Sequence, residues 1–224
     1  MKKRDTCLIF GGMCEEYEVS LRSAFFVLEG LDPSLFDVTL IGITRDGKWY
    51  YYEGDPAKIP SDKWRNEANE SVVLDLSRGC FIKHGREYLP DIIFPALHGK
   101  HYEDGDLGGM LEMLGIPYVG SGSLSSRLCF NKHLTKASAR ALGIPCARDV
   151  LVDKGCLDSF FETICNANKL SYPLFVKPCT SGSSFGITKV YKPCLLYEAV
   201  KTALTFSKHV LIEEQTRSLR IFHF

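Results

Sequence analysis

Leu174-Phe175-Val176-Lys177-Pro178-Cys179-Thr180-Ser181-Gly182-Ser183-Ser184-Phe185-Gly186-Ile187-Thr188-Lys189-Val190 is an apolar strand that delivers a lysine, a loop of small residues, and a second apolar strand. Glycine lets backbone approach a ligand closely, because no Cβ intervenes. Ser183 and Ser184 add hydroxyl donors, and successive N–H groups in such a turn form an anion-binding concavity. Lys177 adds a point charge on a flexible stem. The combination suits a polyphosphate. It is neither the G-x-x-x-x-G-K-[ST] of a P-loop nor the G-x-G-x-x-G of a dinucleotide site, and it leads into a strand rather than a helix. The alternative is an ordinary hairpin with small residues in its turn.

Outward from this loop, the chain reads as a soluble enzyme. Its 224 residues suit one or two domains with substantial cores. Lys plus Arg equals Asp plus Glu, at 27 each, so there is no electrostatic case for nucleic acid or an anionic membrane. Nine cysteines without a C-x-x-C pair argue against a zinc ribbon or a disulfide framework. Cys7, Cys129, Cys165 and Cys179 sit among apolar or small neighbours and read as small hydrophobes in a reducing compartment. Met1-Lys2-Lys3-Arg4 is followed at once by Asp5, and Cys7–Phe10 is too short for the core of a signal peptide. A cytoplasmic location is expected.

The first third alternates strand and helix. Thr6–Phe10 is a buried strand ending in Gly11-Gly12, and Val19 to Leu31 has helical spacing. Asp37–Ile43, Trp49–Tyr52, Ser71–Leu76, Cys80–Ile82 and Asp91–Leu97 read as strands, and Glu53 to Glu70 as surface loop with a short helix. Such alternation predicts an open, mostly parallel sheet with ligands at the carboxyl ends of its strands. Helices are predicted at Gly105–Leu114, over most of Ser123 to Leu142, at Phe160–Lys169 and at Cys194–Phe206. The later strands are Leu174–Lys177, Ile187–Val190 and Val210–Glu214.

Three constellations stand out. Glu15, Glu16 and Glu18 follow the glycines after the first strand; they either cap a helix or bind an amine. His98, with Glu103 and Asp104 close by, follows the most apolar strand; the choice is a capped helix start or a functional histidine. Lys132 and Lys136 lie one helical turn apart, and Lys136 reads as a solvated surface lysine. Glu213 and Glu214 end an apolar strand.

Taken together, these segments resemble the D-alanine–D-alanine ligase family of ATP-grasp enzymes. F-G-G-x-x-x-E-x-x-V-S spans Phe10 to Ser20, H-G-x-x-x-E-D-G spans His98 to Gly105, and G-I-P-x-V-G spans Gly115 to Gly120. Lys132 matches the lysine of M-D-K, and K-P-x-x-x-G-S-S-x-G spans Lys177 to Gly186. Ile41–Arg45 and Gly182–Val190 are most similar to the vancomycin-resistance branch that joins D-alanine to D-serine. The resemblance implies an N-terminal open parallel sheet at 1–122, a central ATP-grasp subdomain at 123–208, and the start of a C-terminal ATP-grasp subdomain at 209–224.

It also implies an ATP-dependent ligase that forms a D-amino-acid dipeptide for peptidoglycan through an acyl phosphate. Lys132 and Lys177 would contact the phosphates of ATP, and Ser183 and Ser184 would close over them. Glu16 would hold the first substrate's ammonium, with Ser183 linked to it and His98 beside that substrate. Glu213 and Glu214 would line the adenine pocket. D-alanine, or D-alanine and D-serine, would be the substrates, and a homodimer through the N-terminal domain is expected. Cys14, Tyr102, Asn131 and Gly108 depart from the usual Ser or Thr, Gly, Asp and Gln. After Glu214 the pattern fails, and Arg220 falls where a ribose-binding glutamate is usual. The resemblance thus implies a C-terminally truncated member whose Mg2+ ligands lie in the missing part. Two alternatives stay open: an inactive fragment with partial substrate or nucleotide binding, and a non-catalytic binding module.

Overall fold

The structure is a computed structural model that describes residues 2–155 and 160–216, without the side chains at 160, 161, 163 and 165. The tail that includes Arg217 and Arg220, and the side chain of Cys165, lie outside the described residues. Packing divides the chain into two units, 1–127 and 128–224.

The first unit contains β1 (Arg4–Gly11), α1 (Tyr17–Gly30), β2 (Phe36–Ile43), β3 (Trp49–Tyr52), β4 (Glu70–Ser71), β5 (Val73–Asp75), β6 (Cys80–Lys83), β7 (Arg86–Tyr88), β8 (Ile92–Pro95) and α2 (Asp106–Leu114). The main sheet has the order β4-β3-β2-β1-β8. β1 pairs in parallel with both β2 and β8, so Thr6–Phe10 and the Ile92–Pro95 strand share one sheet, as predicted. The outer strands β3 and β4 are antiparallel, which makes the sheet mixed rather than mostly parallel. The cause is the turn Arg45-Asp46-Gly47-Lys48, closed by Thr44 N–H on the Lys48 carbonyl. A connection this short forms a hairpin, and a hairpin is antiparallel.

β1 is buried on both faces, and its side chains alternate between two cores. Cys7 and Ile9 pack with Ile41, Ile43, Ile93, Phe81 and α2 residues Leu107 and Leu111. Leu8 and Phe10 pack with α1 residues Tyr17, Leu21 and Ala24 and with Trp64. The stretch Glu53 to Glu70, expected on the surface, is anchored by Trp64, which is fully buried. Its ring lies over Gly42, where a Cβ would meet it at 2.3 Å, and edge-on to Phe10 at 5.0 Å. β5, β6 and β7 form their own three-stranded sheet.

α3 (Ser123–Phe130) spans the division between the units. The helix predicted over Ser123 to Leu142 breaks at Asn131, whose side chain accepts the His133 and Leu134 N–H groups and starts α4 (Lys132–Ala141). The second unit continues with β9 (Asp149–Asp153), α5 (Phe160–Ala167), β10 (Leu174–Pro178), β11 (Thr188–Val190), α6 (Leu196–Ala203) and β12 (His209–Glu214). Its antiparallel sheet has the order β11-β10-β12-β9. β9 is an edge strand that the sequence reading did not include. β12, assigned by that reading to the segment after residue 208, lies between β10 and β9 and belongs to this sheet.

One face of the sheet carries Leu174, Val176, Val190, Val210, Ile212 and Val152 against Leu196, Val200 and Ala203. Each such side chain contributes about 1.5–3 kcal/mol on full burial. Alternation sends Phe175, Lys177, Leu211, Glu213 and Asp149 to the other face.

The buried thiols fit the cysteine reading only in part. Cys7 and Cys179 are buried, but Cys129 is exposed on α3. No helix among the described residues is long and apolar enough to cross a membrane.

Candidate functional site

In the first unit the polar groups gather beyond the carboxyl ends of β1 and β8. Gly11 has φ +92°, and a Cβ there would sit 2.0 Å from the Ile43 carbonyl oxygen, so only glycine turns the chain out of the sheet. The turn is fixed by Ser20, whose Oγ accepts the Gly11 N–H and donates to the Ala96 carbonyl. The loops after the two strands then interlock. Tyr102 lies on Gly12, within 2.6 Å of where a Cβ would be, and the Glu16 carboxylate lies on Gly99, within 2.2 Å of its Cβ position. Cys14 Sγ donates to the His98 carbonyl at 3.1 Å. Tyr102 and Cys14, both departures from the family pattern, are thus contacts that hold the two loops together.

His98 is held through both ring nitrogens. Nε2 lies 2.9 Å from Ser23 Oγ on α1, and Nδ1 lies 3.4 Å from Glu103 Oε1. The other Glu103 oxygen accepts the Gly99 N–H at 3.0 Å. The Glu103 hydrogen bond raises the His98 pKa above the usual imidazole value against the opposing effect of burial, and the charge of Glu16 acts in the same direction as Glu103. His98 in turn lowers Glu103. Glu103 therefore braces the loop and the imidazole rather than capping α2, whose N-cap residue is Gly105. Ser23 was missed from sequence; its signal is the Ser20–Ser23 spacing on one face of α1. Glu16 is buried at the N-cap position of α1 but makes no side-chain cap. A buried carboxylate beside an imidazole biased toward its cationic form can hold both ends of a zwitterion.

His101, Asp104 and Asp106 also lie together. Asp104 accepts the His101 N–H, His101 Nδ1 lies 3.0 Å from Asp106, and Arg127 pairs with Asp106 at 2.6 Å. At Gly108 a Cβ would meet the Tyr118 hydroxyl at 2.8 Å, which accounts for a small residue there.

In the second unit the Thr180–Gly186 loop joins β10 to β11. Ser183 and Ser184 are consecutive residues in the left-handed region, at φ +44° and +63°. Such backbone is costly for residues with a Cβ and is concentrated at ligand-gripping loops. Gly186, at φ +72°, lets the loop close onto Phe206 and Pro178; a Cβ would meet them at 2.6 and 2.8 Å. Lys132 starts α4, and its Nζ donates to the Ser181 carbonyl at 2.6 Å. Burial lowers its pKa, and nearby Lys177 adds to the effect. Lys177 Nζ lies 2.6 Å from Glu213 Oε2 and 5.5 Å from the centre of the Phe175 ring.

Two expectations need correction. Lys136 is not solvated: its side chain is only 13% exposed, and its Nζ lies 3.0 Å from Glu213 Oε1 and 3.3 Å from Asp149 Oδ2. Sequence alone could not show it, because Glu213 lies 77 residues away. Glu214 does not join Glu213, since strand alternation sends its carboxylate to the opposite face. There it pairs with Arg148 and accepts the Ser171 N–H. That pairing lowers its pKa to about 2.

A nucleotide fits the remaining set: an aromatic ring, two lysines and a loop of small residues at one end of one sheet. A divalent cation does not. The carboxylates on this face, Glu213, Asp149 and Asp153, are already engaged by Lys136, Lys177, Arg140 and His209.

Residues 5–121 match the family model described as D-ala D-ala ligase N-terminus, and residues 139–221 match that for the D-ala D-ala ligase C-terminus. A D-alanine--D-alanine ligase of Thermoanaerobacter sp. (strain X514) is 38% identical over 218 residues, covering 95% of this chain and 61% of that protein. Vancomycin C-type resistance protein VanC1 of Enterococcus gallinarum is 37% identical over 226 residues, covering 99% of this chain and 64% of the relative. Among solved structures, the VanG D-Ala:D-Ser ligase from Enterococcus faecalis superposes with a TM-score of 0.88 at 39% identity, covering 97% of this chain and 64% of its own. The chain thus spans somewhat over 60% of the length of these relatives.

Proposed function

Because the chain belongs to the D-alanine–D-alanine ligase family, we propose that it carries the first-amino-acid subsite and the phosphate grip of an ATP-dependent enzyme that joins D-alanine to a second D-amino acid. The observation that carries this reading is the strained Ser183-Ser184 loop, with Lys132 on one of its carbonyls and Lys177 on the strand that enters it. ATP would supply the phosphoryl group that turns a carboxylate into an acyl phosphate, with ADP leaving; the amine of the second amino acid then attacks the acyl carbon and expels inorganic phosphate.

The chain's own residues gather and orient the reactants. Glu16 takes the ammonium of D-alanine, and His98, whose pKa Glu103 raises, lies beside that substrate. Lys132, Lys177 and the backbone of Ser183 and Ser184 take the phosphates, the fixed positive groups that such a transfer requires. Glu213 and Phe175 border the base. The second substrate is D-alanine or D-serine, and similarity to the VanG D-Ala:D-Ser ligase supports D-serine. The dipeptide would serve peptidoglycan synthesis in the cytoplasm, with a second copy of the chain as partner. No step is placed on magnesium, because the described carboxylates near the phosphate loop do not fit it.

Titration of the purified chain with ATP tests the grip. Lys177→Ala is expected to weaken binding about ten- to a hundredfold, the scale of one charge-assisted contact. An unchanged affinity would refute the assignment. Adding D-alanine and D-serine with ATP and magnesium, and following phosphate and dipeptide together, separates a ligase from a chain that only binds.

A further inference from the structure

Lys136 and Lys177 share one carboxylate, and their surroundings differ. Lys136 holds Glu213 Oε1 and reaches Asp149 as well, with a side chain 13% exposed. Lys177 holds only the other oxygen, Oε2, and is 26% exposed. Asp149 is 6% exposed and also pairs with Arg140, so it does not draw the whole charge of Lys136. Glu213 and Asp149 stand side by side on β12 and β9, and α4 places Lys136 across both. One lysine is therefore anchored to two strands by two ion pairs, while the other has one ion pair and a ring contact at the entrance to the serine loop.

We propose that Lys136 is a positioning residue that keeps Glu213 neutralised, so that Lys177 can leave it for a nucleotide phosphate. The proposal rests on the nucleotide reading above. If Lys177 departed without Lys136 in place, it would leave a carboxylate largely shielded from water and unpaired, which is costly. With Lys136 in place the carboxylate keeps a partner, and departure is cheap. The same move by Lys136 would break two ion pairs rather than one. The two lysines thus divide the work: one fixes the acid and the other seeks the ligand.

The test has one readout that needs no nucleotide. The amine of Lys177 is labelled with a dilute acylating reagent and followed by mass spectrometry in the 224-residue chain. In Lys136→Met, Glu213 belongs to Lys177 alone, and labelling is expected to slow about threefold, the scale of a partly exposed ion pair. ATP affinity is expected to fall with it. Lys136→Arg should restore both. In a Glu213→Gln background, Lys136→Met should change neither.

Unchanged Lys177 labelling in Lys136→Met would overturn the proposal. So would an equal loss of ATP affinity in the presence and absence of the Glu213 carboxylate, which would mark Lys136 as merely structural. Should Lys136→Met not fold, Lys136→Gln with Asp149→Asn removes the acid that has lost one of its two partners and carries the same expectations. If no variant, wild type included, binds ATP, the nucleotide reading fails, and the labelling still decides whether Lys136 sets the hold on Lys177.

Discussion

The two units build their candidate sites by opposite means. In the first, the functional groups sit in loops beyond strand ends, and backbone holds them: Glu16 lies on Gly99, Tyr102 on Gly12, and Ser20 bridges Gly11 to Ala96. In the second, they stand on the open face of an antiparallel sheet, where side-chain charges hold one another across strands. A site held by backbone is written in short motifs, because a glycine that turns the chain out of a strand is itself a local signal, even where the groups that demand it, Ile43, Tyr102 and Glu16, lie far along the chain. A site held by paired charges depends on strand register and on residues far apart in the chain.

The comparison breaks hardest at Trp64. It underlies the first unit's sheet, and Trp64→Ala should cost about 3–5 kcal/mol of stability, read as a lower denaturant midpoint. A change below about 1 kcal/mol would show that the stretch from Glu53 to Glu70 is only draped over the sheet.

A finer test concerns His98. Glu103 raises its pKa while burial opposes the rise. Glu103→Gln should therefore lower it, measured by histidine NMR against pH. The sign follows from the folded pKa lying above the unfolded value of about 6.5. The stabilisation from protonated His98 is complete below that value and is lost as pH rises through the folded pKa. In Glu103→Gln this loss should shrink, since only the charge of Glu16 then acts against burial. An unmoved titration would leave the brace without an electrostatic role.

The smallest effect is expected at Glu214, whose pKa of about 2 is set chiefly by Arg148. A depressed carboxylate pKa stabilises the fold above its unfolded value of about 4.3 and stops doing so as pH falls toward 2. Arg148→Gln should raise the Glu214 pKa and flatten that part of the acid-stability curve. Because Arg148 is 61% exposed, the change in stability near neutral pH should be slight. A large loss would mean that Arg148 and Glu214 secure the end of β12 for a purpose beyond local pairing.

Much of the candidate site was legible in the chain. The glycines after β1, His98 with Glu103, and Lys177 with the serine loop were each read from a local run of residues, and the structure places each run at a strand end or loop. Ser23 was the exception within that class: the Ser20–Ser23 spacing puts it on the face of α1 that carries Ser20, but only the structure shows that a histidine faces it. Lys136 and Glu214 were misread for the opposite reason: both readings needed the neighbouring strand.

The sequence by itself determined that β1 and β8 are strands, that a loop of small residues follows β10, and that Lys177 enters that loop. Each follows from a local run of apolar residues or of glycine and serine. Only the tertiary structure decided that β3 and β4 run antiparallel, that Trp64 is core, that β12 lies between β10 and β9, and that Glu213 and Glu214 face opposite ways. It alone brought Lys136 to a carboxylate 77 residues away. The reason is that the pairing of charges is a property of register and burial, which a linear pattern of residue types does not contain.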